Sequence, residues 1–134
     1  HSRCYQDVKG VLSKLYLRGF NLGICTNKPS SLTNKVLENL DIKQYFEVVI
    51  CGDTFPERKP NPHPLLEAVS HLKSKTNSTI FIGDSEVDMQ TAVSSNVRFG
   101  LFSQGYRRGP VTEFICDFHF DKYLELETRL KGYF

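Results

Sequence analysis

The sequence lacks any stretch near the roughly 20 consecutive apolar residues that a membrane-spanning helix needs. Its opening, HSRCYQDVKG, is too polar for a secretory signal, so the expectation is an unexported chain. Neither sign of charge dominates: 17 basic residues against 15 acidic ones leave a net charge of only +2, with no long run of either sign. That balance argues against a nucleic acid or a membrane surface as partner. The cysteines, at 4, 25, 51 and 116, include no C-x-x-C pair, and Cys25 and Cys51 sit in apolar runs where a free thiol serves as a small hydrophobe. A reducing, cytoplasmic setting follows. His63, His71 and His119 lack metal-ligand spacing with one another or with cysteine, which argues against zinc. Internal repeats, low-complexity tracts and linkers are also missing, and 134 residues leave no room for a second domain.

What is present is alternation. Val8, Val11, Leu12, Leu15 and Tyr16 recur at helical spacing over Asp7 to Arg18, and Gly19 follows where a helix cap belongs. FNLGIC reads as a buried strand, TNKPSS as a loop and LTNKVLENL as a helix. YFEVVIC is strand-like, and GDTFPERKPNPHP holds four of the six prolines and must be irregular. A helix at LLEAVSHLK, a strand at TIFIG, a helix at EVDMQTAVSS and a strand at RFGLF come next, before a possible strand at CDFHF and a closing helix at YLELETRL. Strands separated by helices predict an α/β fold with a parallel sheet covered on both faces.

Ligands of such sheets bind beyond the carboxyl ends of the strands. Thr26 and Asn27 follow NLGIC, Lys59 lies in the proline-rich loop after EVVIC, and Asp84, Ser85 and Asp88 follow TIFIG. Each has a plain structural reading when taken singly. Thr26 and Asn27 serve equally well to open a turn, Lys59 is one more lysine in a polar loop, and Asp84, Ser85 and Asp88 suit the first turn of a helix. Together they supply what phosphoryl transfer needs: a hydroxyl for the phosphoryl oxygens, an amine to neutralise charge, and carboxylates for magnesium. Arg107 and Arg108 read as a solvated loop.

GICTNKP, GDTFPERKPNPHPL, FIGDSEVDMQTA and the later Gly105–Tyr106 resemble the second, third and fourth motifs and tail of the haloacid dehalogenase-like phosphatases, nearest the phosphoglycolate phosphatase branch. The resemblance implies a three-layer α/β/α Rossmann-like core acting as a Mg2+-dependent phosphomonoester hydrolase on a small phosphorylated metabolite. It implies that Thr26 binds the phosphoryl group with help from Asn27. It further implies that Lys59 stabilises the charge of nucleophile and phosphate, that Asp84 ligates magnesium, and that Asp88 supports the metal shell. On that reading Lys59, in a polar loop, contributes charge rather than packing.

The family's first motif, D-x-D-G-T, which carries the aspartate nucleophile, does not occur in residues 1–134. The resemblance therefore implies a partial core domain over 1–134, without its first central strand and without the cap domain that selects substrate. NLGIC and TIFIG would flank that strand. They are expected to pair with each other, to accept a strand from another molecule and so self-associate, or to leave the fold weak. A non-catalytic phosphate- and metal-binding module is the alternative. A receiver-type signalling domain fits less well, because Thr26 and Lys59 precede the acidic cluster.

Overall fold

The computed structural model describes residues 2–105 and 109–134. Tyr106, Arg107 and Arg108, named above, lie outside the described residues. Helix α1 (Ser2–Leu17) begins earlier than the apolar spacing predicts, because its polar first turns carry no periodicity to read. It ends at Gly19, whose φ of +90° lets the Phe20 N–H reach the Leu15 carbonyl at 3.1 Å. Then come β1 (Leu22–Cys25), α2 (Ser30–Asn39), β2 (Phe46–Ile50) and α3 (His63–His71), followed by β3 (Ile80–Gly83), α4 (Glu86–Ser95) and β4 (Arg98–Phe102). The last elements are β5 (Phe118–Phe120) and α5 (Leu126–Leu130). The closing helix is shorter than expected, since residues 123–125 form a 3-10 turn.

All strand pairs are parallel, as the alternation predicts, but the sheet is in two pieces. β1 pairs with β2, and β3, β4 and β5 pair in that order. Among the described residues β1 and β3 do not pair with each other, which removes the first of the three outcomes expected for their edges.

Side chains alternate across each strand and sort the core into two layers. Phe81, Phe99 and Leu101 pack with Leu65 and Val69 of α3 and Ala92 of α4 on one face. On the other, Phe120 packs with Val11 and Leu15 of α1 and Leu126 and Leu130 of α5, with Ile80, Ile82 and Phe118 against them. Helices thus cover both faces, giving the three-layer α/β/α arrangement. No helix is long and apolar enough to cross a membrane, among the described residues.

Candidate active site

The polar residues gather at the carboxyl ends of β1 and β3. Beyond β1 the ladder runs on for one bond, with the Thr26 N–H donating to the Ile50 carbonyl at 2.9 Å. The Thr26 hydroxyl accepts the Lys28 N–H at 3.2 Å, a local turn bond of the kind threonine makes before a proline. Gly52, just past β2, sits against this turn. Its N–H donates to the Lys28 carbonyl at 2.8 Å, and a Cβ there would collide with the Asn27 carbonyl oxygen. Only glycine permits the two loops to approach so closely.

Asn27 spans from one loop to the other. Its Nδ2 donates to the Lys59 carbonyl at 3.0 Å, and its Oδ1 accepts the Lys59 N–H at 3.0 Å. Both halves of the carboxamide are spent on one backbone unit, which fixes where the Lys59 side chain starts. Arg58 Nε donates to the Gly52 carbonyl at 3.1 Å and helps fold the proline-rich loop inward. That inward course overturns the expectation of a lysine contributing charge without packing. The Lys59 side chain is only 10% exposed and its Nζ lies 5.4 Å from the centre of the Phe81 ring, within cation–π range.

Lys59 Nζ donates to Asp88 Oδ1 at 2.6 Å, and Asp88 is likewise 10% exposed. The second oxygen, Oδ2, accepts the Asp84 N–H and the Ser85 hydroxyl, each at 3.1 Å. Ser85 caps α4 as the sequence suggests, its Oγ accepting the Asp88 N–H at 3.3 Å, while Glu86 and Asp88 place negative charge in the first turn. The carboxylate of Asp88 thereby organises the lysine, the cap and the turn bearing Asp84. Gly83 makes this possible, since a Cβ there would stand 2.6 Å from Asp88 Oδ2. Gly105, from the loop after β4, packs directly on Asp84, and Glu86 Oε2 accepts the Gly109 N–H at 2.9 Å.

Of the residues singled out in sequence, the structure thus brings Asn27, Lys59, Asp88 and the Asp84 backbone into one hydrogen-bonded chain; the Thr26 hydroxyl turns to its own loop. Glu86 was not anticipated; its place after the helix-capping Ser85 was its only signal. Cys25, the residue before Thr26, has its thiol pushed up from 9.0 to about 11, chiefly by burial, with the Lys59 charge opposing and the Asp88 charge adding. It is a thiol, not a thiolate nucleophile, at neutral pH.

Magnesium is commonly held through one or two carboxylates with several waters retained. Asp84 offers a carboxylate of that type, whereas both oxygens of Asp88 are engaged, Oδ1 by Lys59 and Oδ2 by Ser85 and the Asp84 N–H. Among the described residues no group of three or more His, Cys, Asp or Glu side chains gathers as a larger ligand set.

A family model described as haloacid dehalogenase-like hydrolase matches residues 1–102. Phosphoglycolate phosphatases from Cereibacter sphaeroides and Nitrosococcus oceani are 38% identical over 107 residues and 41% identical over 108, covering 80% and 81% of this chain. Each match takes in 48% of the relative, so the chain spans about half the length of the curated relatives it matches. Among solved structures, a predicted phosphoglycolate phosphatase from Haemophilus somnus superposes with a TM-score of 0.87 at 27% identity, over 92% of this chain and 55% of that one. A phosphatase from Thermococcus onnurineus does so with a TM-score of 0.84 at 28% identity, over 94% of this chain and 57% of that one.

Proposed function

The chain belongs to the haloacid dehalogenase-like hydrolases, and on that premise we propose that residues 1–134 carry most of the site of a Mg2+-dependent phosphomonoester hydrolase of the phosphoglycolate phosphatase type. The observation that supports it most is the Lys59–Asp88 pair, nearly buried at the carboxyl ends of two strands and fixed from behind by Asn27. A cation held in place before substrate arrives costs no reorganisation when phosphoryl charge builds up.

The roles follow from position. The Thr26 hydroxyl donates to a phosphoryl oxygen, exchanging its turn contact for the substrate. Lys59 neutralises charge between phosphate and nucleophile, and Asn27 keeps the lysine backbone from retreating. Asp84, with Asp88 steadying its turn, is the residue that would hold magnesium, and the ion would supply Lewis-acid polarisation of the phosphoryl oxygens. The nucleophile is an aspartate from outside residues 1–134. Its carboxylate oxygen bonds to phosphorus as the bond from phosphorus to the ester oxygen breaks, the leaving oxygen taking its proton from an acid that is likewise outside residues 1–134; water then attacks phosphorus, releasing inorganic phosphate and restoring the carboxylate. The substrate is a small phosphorylated metabolite, phosphoglycolate by closeness of relatives.

One observation favours the non-catalytic alternative for this stretch by itself: the neighbouring thiol, Cys25, stays protonated and offers no substitute attacker. A single assay separates the two. Residues 1–134 with magnesium and p-nitrophenyl phosphate should show no turnover, and fusion of a segment bearing a D-x-D-G-T strand should produce turnover that Asp84→Ala abolishes. Turnover by the unfused chain that survives Asp84→Ala would overturn the assignment. Inactivity of the full fusion would favour the binding module.

A further inference from the structure

Asp84 is bounded on two sides. Its N–H donates to Asp88 Oδ2 at 3.1 Å, which sets its main chain. Its side chain lies against Gly105, where a Cβ would collide with both the Asp84 Cβ and its Oδ2. Backbone this close restricts the rotamers open to Asp84, so the place of residue 105 decides where the carboxylate points. Gly105 belongs to the loop beyond β4, and that loop is tied down two residues earlier. Ser103, only 6% exposed, donates its hydroxyl to Asp121 Oδ1 beyond β5, and its N–H donates to the Phe120 carbonyl at 2.9 Å. Asp121 is seated in turn by Glu125, whose Oε1 accepts the Asp121 and Lys122 N–H groups, each at 3.0 Å.

The main-chain bond of Ser103 extends the β4–β5 ladder by one rung and needs no hydroxyl. What the hydroxyl adds is a side-chain tie at the point where the chain leaves the sheet. A hydroxyl donating to a carboxylate is a charge-assisted bond, stronger than its neutral counterpart. Two residues of chain span at most about 7 Å, so a shift at Ser103 passes to Gly105 with little room to dissipate. We propose that Ser103 and Asp121 are positioning residues for Asp84: their bond fixes the loop that carries Gly105, and Gly105 fixes the direction of the Asp84 carboxylate. The functional meaning of that direction rests on Asp84 as the magnesium-holding residue, whereas the coupling itself concerns the carboxylate alone. The amino ends of the same two strands supply a control. There Asp117 Oδ2 accepts the Phe99 N–H at 2.8 Å, a carboxylate tie of the same strand pair at the end away from Asp84.

The test is carboxyl-carbon NMR of Asp84 in metal-free residues 1–134 at neutral pH, followed by Mn2+ binding measured by electron paramagnetic resonance. Ser103→Ala and Asp121→Ala are expected to displace the Asp84 signal and to weaken Mn2+ binding about tenfold, the lower end of the effect usual for residues behind a metal ligand. The double variant should lose no more than either single one, because both remove the same bond. Ser103→Thr keeps the hydroxyl and should restore both readouts. Asp117→Ala should lower the urea midpoint and move neither. Where Ser103→Ala fails to fold, Asp121→Ala, at an exposed position, decides alone. An Asp84 signal unmoved by the Ser103 and Asp121 variants, or moved as much by Asp117→Ala, overturns the proposal, and so does a Ser103→Thr variant that behaves like Ser103→Ala. A parent chain that takes up no Mn2+ counts against the metal reading instead, and the metal-free Asp84 signal still decides whether Ser103 and Asp121 position it.

Discussion

The carboxyl end of the β1–β3 break and its middle are built on opposite terms. At the carboxyl end the groups that set the geometry are hydrogen-bonded to one another: Asn27 to the Lys59 backbone, Lys59 to Asp88, and Asp88 to Ser85 and the Asp84 N–H. In the middle, two strand edges face a 470 Å3 space lined by leucine and valine. The contrast shows that the site's geometry does not depend on β1 and β3 being paired. It is carried by a loop-to-loop bond and a loop-to-helix bond between residues about thirty positions apart in sequence (32 for Asn27 and Lys59, 29 for Lys59 and Asp88).

The comparison breaks most sharply at the buried ion pair. Removing one member of such a pair strands the other charge away from water, at a cost of about 3–5 kcal/mol. Asp88→Ala should lie at the upper end, because among the described residues Lys59 then keeps only the Phe81 face, whereas Lys59→Ala should lie near about 3 kcal/mol, because Asp88 keeps two other donors. Urea unfolding measures both, and joint replacement by Lys59→Met with Asp88→Asn should recover most of the loss. Two single variants with wild-type midpoints would mean that the carboxyl end is no more firmly built than the middle.

Asn27→Ala is the next largest effect. Two hydrogen bonds to a partly buried backbone unit are lost, at about 1 kcal/mol each. In the active fusion the same change should lower turnover while leaving affinity for product phosphate nearly unchanged, because Asn27 acts on phosphate only through Lys59. A loss confined to phosphate affinity would make Asn27 a direct ligand.

The smallest effect is a pH dependence. The folded pKa of Cys25 is raised, so on alkalinisation the unfolded chain loses the thiol proton first. Its contribution is intact below 9.0, the ordinary thiol value, and is lost as pH rises toward about 11, by at most about 2 kcal/mol since the thiol is only partly buried. Subtracting the Cys25→Ala profile from the wild-type one isolates it. A flat difference would show that solvent reaches the thiol.

Much of this was legible in sequence. The bounds of α4 and β4 match EVDMQTAVSS and RFGLF, α4 opening on its serine cap and closing on a left-handed Asn96. The strand-end positions of Thr26, Lys59 and Asp84 followed from topology. What could not be read was the long-range part. A lysine in a proline-rich loop looks solvated because local pattern carries no record of burial, and the carboxamide of Asn27 is as suited to its own turn as to a backbone 32 residues away. The same limit hid the early start of α1, where polar residues extend a helix without marking it.

Gly83 carries a consequence for anyone who alters this chain. Its α-carbon bears a hydrogen where a methyl would reach the Asp88 carboxylate. That carboxylate in turn sets the lysine amine and the amide that begins the Asp84 turn. A substitution at 83 would therefore act as a translation of three charged or polar groups at once, with no change in the charge of any. In a saturation library, position 83 should behave as an active-site residue although its side chain is a single hydrogen atom.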